Sequence, residues 1–174
     1  MQRALLSFIC ILALIFGIAA PALSASQERR PPTKIEFPEI KDWNSLRITL
    51  DRTVCFGTCP SYRVEIRGDG TVLYHGDNFT AVKGDRTATI SRDAVKALFE
   101  KLRQAEFFWL FDTYNASVTD MPSAEVTLSF DDKEKRVHDY AGQMVGMPAV
   151  VRDLEQAIDD TAQTKRWVVG PSGK

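Results

Sequence analysis

The stretch Tyr62-Arg63-Val64-Glu65-Ile66-Arg67-Gly68-Asp69-Gly70-Thr71-Val72-Leu73-Tyr74-His75 decides the fold. Tyr62, Val64 and Ile66 alternate with Arg63, Glu65 and Arg67, a period of two that buries one face of a strand. Gly68-Asp69-Gly70 supplies residues that tolerate positive φ, so the chain reverses there. Thr71 to His75 is the returning strand. An antiparallel hairpin is therefore the unit from which the rest is built.

Upstream, Leu46, Ile48 and Leu50 alternate with Arg47, Thr49 and Asp51 in the same way, giving another half-buried strand. Downstream, Phe79–Val82 and Arg86–Ile90 read as a short pair split at Gly84-Asp85. Ser91 is a good helix N-cap, because its hydroxyl can accept a first-turn amide. Val95, Leu98, Phe99 and Leu102 follow at i, i+3, i+4, i+7, an amphipathic helix of about three turns. Phe107, Phe108, Trp109 and Phe111 read as a core plug. Asn115–Pro122 reads as a loop. Val126, Leu128 and Phe130 mark a strand, joined through a polar turn at Asp131–Lys135 to a strand at Arg136–Tyr140. After a loop at Gly142–Pro148, Val151, Leu154 and Ile158 lie on one face of a closing helix, and Trp167 and Val168 are expected to fold back onto the body. The fold class expected is α+β: one domain over residues 43–169, a mainly antiparallel sheet of hairpins with two amphipathic helices packed on one face.

The N-terminus reads as an export signal over residues 1–25. Arg3 gives a positive start, Ala4–Ala20 is an uncharged and mostly apolar run, and Ala22, Ser24 and Ala25 are small residues for a signal peptidase. Leu23 stands where a small residue is preferred for cleavage after Ala25, so the bond itself is not fixed. The competing reading is an uncleaved anchor. That run is at the lower limit for a span, and Pro21 with its small neighbours favours cleavage. Cys10 lacks the preceding small residue of a lipoprotein cysteine. Residues 26–42 form an extended, polar, proline-bearing leader, and residues 170–174 a flexible tail. The exported chain carries 21 basic and 23 acidic side chains and no long basic run. Nucleic acid is not an expected partner, nor is a membrane once the signal is removed.

Both cysteines outside the signal lie in Cys55-Phe56-Gly57-Thr58-Cys59-Pro60-Ser61-Tyr62. In an oxidising compartment the default for such a pair is a disulfide. Gly57 permits the tight path and Pro60 stiffens the exit. The alternative is a thiol–disulfide redox or Cu(I)-handling pair, with His75 or His138 completing the site. Flanking strands, and the lack of Lys or Arg between the cysteines, weigh against the redox form. Asp120, His138 and Asp139 can be drawn as an acid/base group. Yet no Gly-x-Ser-x-Gly elbow, His-Glu-x-x-His helix or glycine-rich phosphate loop is present. No cofactor, no resident metal and no catalytic residue is assigned, and an enzymatic role is the less favoured reading. Asp131-Asp132-Lys133-Glu134 lacks the alternating acids and glycine of a calcium loop.

Taken in order, Cys55–Tyr62, Gly68–Val72, Thr119-Asp120-Met121-Pro122, His138-Asp139-Tyr140, Leu154-Glu155, Ile158-Asp159 and Trp167 resemble a bacterial family of uncharacterised exported domains, sometimes found beside ankyrin repeats. The resemblance spans Leu46 to Trp167. It implies a shared fold and an exported, periplasmic or extracellular location, and it carries no activity. The leading expectation is a non-enzymatic domain clipped at Cys55–Cys59 that binds an unknown protein or envelope component. Its candidate surface is Phe56, Tyr62, Asp120, His138 and Tyr140.

Overall fold

The computed structural model describes Lys34 and residues 36–170. The segment expected to be an export signal (1–25), most of the expected leader and the last four residues of the tail lie outside the described residues.

The founding hairpin is present as β2 (Tyr62–Arg67) and β3 (Thr71–Gly76). Gly70 makes the reversal at φ 95°, and a Cβ there would stand 2.3 Å from the Ile90 carbonyl oxygen, so only glycine fits. β1 (Arg47–Arg52) lies at the centre of the sheet, antiparallel to β2 on one side and to β6 (Ser123–Phe130) on the other. β6 turns directly into β7 (Lys133–Tyr140), with Phe130 paired to Lys133. This turn is tighter than the expected Asp131–Lys135: Asp131 takes φ 51°, and the strand resumes after Asp132.

Two expectations need correction. Phe79–Val82 is not a strand. Phe79 is left-handed at φ 55°, and the amides of Ala81 and Val82 donate to Val168 and Trp167 carbonyls at 3.0 and 2.9 Å. The segment's backbone is spent on the C-terminal turn, and β4 (Gly84–Thr89) pairs with β3 instead. Thr113–Asn115, partly assigned to a loop, forms β5, which runs parallel to β7 at the sheet edge. The order is β4-β3-β2-β1-β6-β7-β5: seven strands, with one parallel pairing.

Period two sends Ile48, Leu50, Val64, Ile66, Val72, Tyr74, Val126 and Leu128 to one face, where all are buried. That face is covered by α1 (Arg92–Gln104) and α2 (Ala149–Ala162), so the expected α+β architecture holds. Ser91 caps α1, its Oγ accepting from Ala94 N at 3.1 Å, and Val95, Leu98, Phe99 and Leu102 are buried as the helical period requires. Phe107 and Phe108 plug the core, and Phe37 meets Phe99 and Phe108 edge-on at 5.5 and 5.2 Å. A final turn, α3 (Lys165–Val168), lays Trp167 on Tyr74 with ring centroids 4.8 Å apart.

Candidate functional site

At the C-terminal end of β1 the chain leaves the sheet and makes the loop that returns as β2. Cys55 and Cys59 are bridged across it, with Cα atoms 5.5 Å apart. The loop is tied to the segment before β6. Phe56 N donates to the Asp120 carbonyl at 3.1 Å, Thr53 N to the Ser123 carbonyl at 3.0 Å, and Ser123 N to Thr53 Oγ1 at 2.9 Å. Asp120 sits at φ 67°, a strained conformation for a residue with a side chain, and its carbonyl makes the contact. Tyr140 stands behind, its hydroxyl oxygen accepting from Met121 N at 3.4 Å. Phe56, at the tip, is 88% exposed. A Cβ on Gly57 would meet Cys55 Sγ at an ordinary 3.5 Å, and Gly57 is not left-handed, so the loop's path does not rest on that glycine.

Of the residues expected to share a surface, Phe56, Asp120 and Tyr140 gather at this loop. Tyr62 does not present its ring there. It is a core residue, 6% exposed, packed on Tyr74 at 5.8 Å. His138 is on the solvent face of β7, beside Glu125, with Nδ1 to Oε2 at 3.6 Å. Asp139, its neighbour, turns to the opposite face, as adjacent strand residues must. The Asp120–His138–Asp139 acid/base group is therefore not assembled. His75 is paired with Asp85 across β3 and β4, and neither histidine lines the cleft beside Cys59.

That cleft gathers Arg52, Asp139, Arg152, Glu155 and Asp159, a grouping that no motif in the sequence announces. It measures about 510 Å³ and runs between the disulfide loop and α2. Arg52 continues the inward register of Ile48 and Leu50 past the end of the core. Its Nε and Nη2 donate to Asp159 Oδ2 at 3.1 and 3.0 Å, and its Nη1 to Glu155 Oε2 at 3.2 Å. Asp159 Oδ1 accepts from the Tyr62 hydroxyl at 2.7 Å and from Thr164 Oγ1 at 2.6 Å. Asp139 Oδ1 accepts from Gly142 N at 2.7 Å, and a Cβ on Gly142 would crowd that same oxygen at 2.8 Å. Arg152 Nε stands 3.6 Å from Asp139 Oδ2.

Burial sets the electrostatics. Glu155 is 6% exposed, and desolvation lifts its carboxyl to about 7. The Arg52 charge pulls the other way, and nearby Asp139 adds to the rise. Burial, reinforced by Asp159, pushes the Tyr62 phenol well above its ordinary value. Burial works against the Arg52 charge too, but Asp159, Tyr62 and Glu155 outweigh it and hold the guanidinium above its usual value. Two signals for this cluster were present in the sequence. Arg52 falls on the apolar register of β1, and Glu155 is four residues after Val151, on the apolar stripe of α2. Opposite charges on two facing apolar surfaces mark a buried ion pair.

A disulfide is compatible with an exported protein. Among the described residues, no helix is long and apolar enough to cross a membrane. No curated protein matches the chain. A family model described as a domain of unknown function, DUF6438, matches residues 46–162, about two thirds of the sequence and nearly all of the folded body. The chain belongs to the DUF6438 family.

Proposed function

We propose that this is an exported, non-enzymatic binding domain that seats a partner protein or envelope component on the disulfide-clipped loop. The observation that carries the reading is Phe56, 88% exposed at the tip of a loop closed by Cys55–Cys59 and pinned to Asp120. A large aromatic side chain left in water adds nothing to the core. Held on a short, cross-linked loop, it binds at small entropic cost, because little freedom remains to be lost. Val54 and Met121 are also exposed beside it and extend the apolar patch. The test compares Phe56→Ala with the wild-type protein in melting and in cross-linking to the cell envelope. Unchanged melting with loss of the cross-linked product supports the reading. Lowered melting with no cross-linked product from either protein would mean that the phenylalanine serves the fold.

The rival role for the same loop is thiol–disulfide exchange or Cu(I) handling, and Cys59 favours it to the extent that it lines the cleft. A reduction potential below about −300 mV marks a structural bridge. That value, with no Cu(I) uptake by the reduced protein, removes the rival. A markedly higher potential, or tight Cu(I) binding, moves the function to the cysteines themselves.

A further inference from the structure

Within the cleft, two buried carboxylates each keep an oxygen that accepts no hydrogen bond from the described residues. Glu155 Oε2 takes Arg52 Nη1, and Oε1 takes nothing. Asp139 Oδ1 takes the Gly142 amide, while Oδ2 has only Arg152 Nε at 3.6 Å, beyond hydrogen-bond reach. Both residues are more than nine-tenths buried, Glu155 at 6% and Asp139 at 5% exposure, and both line the cleft. Each open oxygen belongs to a side chain that is otherwise buried and lines the cleft, so a donor entering the cleft can reach it.

The charge balance says which donor. Three carboxylates (Asp139, Glu155, Asp159) face two guanidinium groups (Arg52, Arg152). Arg52 is fully committed, with three hydrogen bonds to Glu155 and Asp159. Asp159 is complete, with Tyr62 and Thr164 on its other oxygen. Once Glu155 is ionised, above its raised value of about 7, the uncompensated negative charge lies on the Glu155–Asp139 side. The repulsion that Asp139 exerts on the ionised Glu155 agrees with this. The rest of the lining is mixed, with Pro60, Met121, Pro122 and Ala141 as apolar wall beside Thr53, Ser123 and Gln156.

We infer that the cleft takes the cationic end of an aliphatic chain, a primary ammonium or guanidinium seated between Glu155 and Asp139, with its stem along Pro60, Met121 and Pro122. The cation supplies donors to Glu155 Oε1 and Asp139 Oδ2 together, and the stem covers apolar wall in the way lysine and arginine stems do elsewhere. This goes beyond the docking role of Phe56 and does not rest on it. The group can belong to a free amine or to a basic side chain of a polypeptide.

The test uses the folded chain without its signal, titrated by NMR at pH 8, where Glu155 is ionised, with butylammonium, butylguanidinium and neutral pentanol. Saturable shifts of the Gly142 amide with both cations and none with pentanol are expected. Glu155→Gln, which keeps the shape and removes the charge, should weaken the cations about tenfold or more. Arg152→Ala, at a half-exposed side chain outside the core, should tighten them several-fold by removing the competing cation. Cations that bind no better than pentanol overturn the inference, and so does an Arg152→Ala variant that binds them more weakly. The Arg152 variant keeps the test decisive even if Glu155→Gln does not fold. A lysine-centred heptaglycine-type peptide against butylammonium identifies the source: tighter peptide binding means a polypeptide side chain, and tighter amine binding a free amine. Small probes and the isolated chain involve no docking partner, so failure here is separate from failure of the loop.

Discussion

The two ends of the central strand β1 use carboxylates in opposite ways. At its N-terminal end Asp131 is exposed, yet fully employed. Lys41 N donates to Oδ2 at 2.8 Å, and Asp42 N and Ser45 Oγ donate to Oδ1 at 3.1 and 3.2 Å. Those bonds, that from Lys41 foremost, hold its carboxyl below the ordinary range. At the C-terminal end Glu155 is buried, takes one hydrogen bond, and has its carboxyl raised to about 7. A carboxylate filled by backbone amides is an element of the fold, there to fasten residues 41–45 to the β6–β7 turn. A carboxylate whose value is raised by burial costs stability once it ionises. The same end carries the exposed Phe56, so the proposed docking loop and the proposed cation cleft lie together there.

The largest effect expected is at Arg52. Arg52→Met leaves Glu155 and Asp159 buried without their shared cation and should cost about 3–5 kcal/mol in denaturant unfolding. A loss below about 1 kcal/mol would place the cluster in water and erase the contrast between the ends.

Glu155 sharpens the comparison through pH. Its folded value, about 7, lies above the ordinary 4.5. Below 4.5 both states are protonated and nothing is lost. Between 4.5 and 7 the unfolded chain gives up the proton while the folded one keeps it, so stability falls as pH rises through that window. The fall totals about 3 kcal/mol and levels off above 7. Glu155→Gln removes it, so the stability difference, variant minus wild type, should grow in the variant's favour from pH 4.5 to pH 8. A difference that stays flat, or shrinks, would show an ordinary carboxylate.

Much of this architecture is legible in the sequence, and the misses have physical causes. β1, β2, β3, α1 and α2 each carry an apolar period over several residues, and each buries the side that its period indicates. β5 has three residues and pairs in parallel with a strand about 25 positions later, so no local pattern announces it. The alternation at Phe79–Val82 looks like a strand, but its amides are taken by Trp167 and Val168, a partnership that only the tertiary fold creates. Phe56, expected on a surface beside the clip, is exposed. Tyr62 carries two readings, an inward strand register with Val64 and Ile66 and a place on the candidate surface, and the structure follows the register. Arg52 and Glu155 were each visible on an apolar register. Their meeting required knowing that α2 crosses the end of β1.

Smaller effects complete the comparison. Replacing both cysteines, Cys55→Ser with Cys59→Ser, opens a very short loop and should cost about 2 kcal/mol, with the rest of the sheet intact by circular dichroism. A loss of the whole fold would make the bridge a pillar of the domain and not a stiffener of one loop. Asp131→Ala should lower the melting temperature by a few degrees at neutral pH. Its depressed carboxyl stabilises above the ordinary carboxylate range and ceases to do so in acid, so the gap between variant and wild type should close as pH falls. A gap that persists in strong acid would assign the effect to the turn's backbone at φ 51°.

The most direct measurement places a photo-reactive phenylalanine analogue at position 56, and in a second protein at Lys133, the first residue of β7 at the opposite end, and irradiates both in intact cells. One discrete cross-linked product is expected from position 56, abolished by reduction of the Cys55–Cys59 bridge, and none from position 133. Equal products from both ends, or none from position 56, would contradict the docking role proposed for the loop.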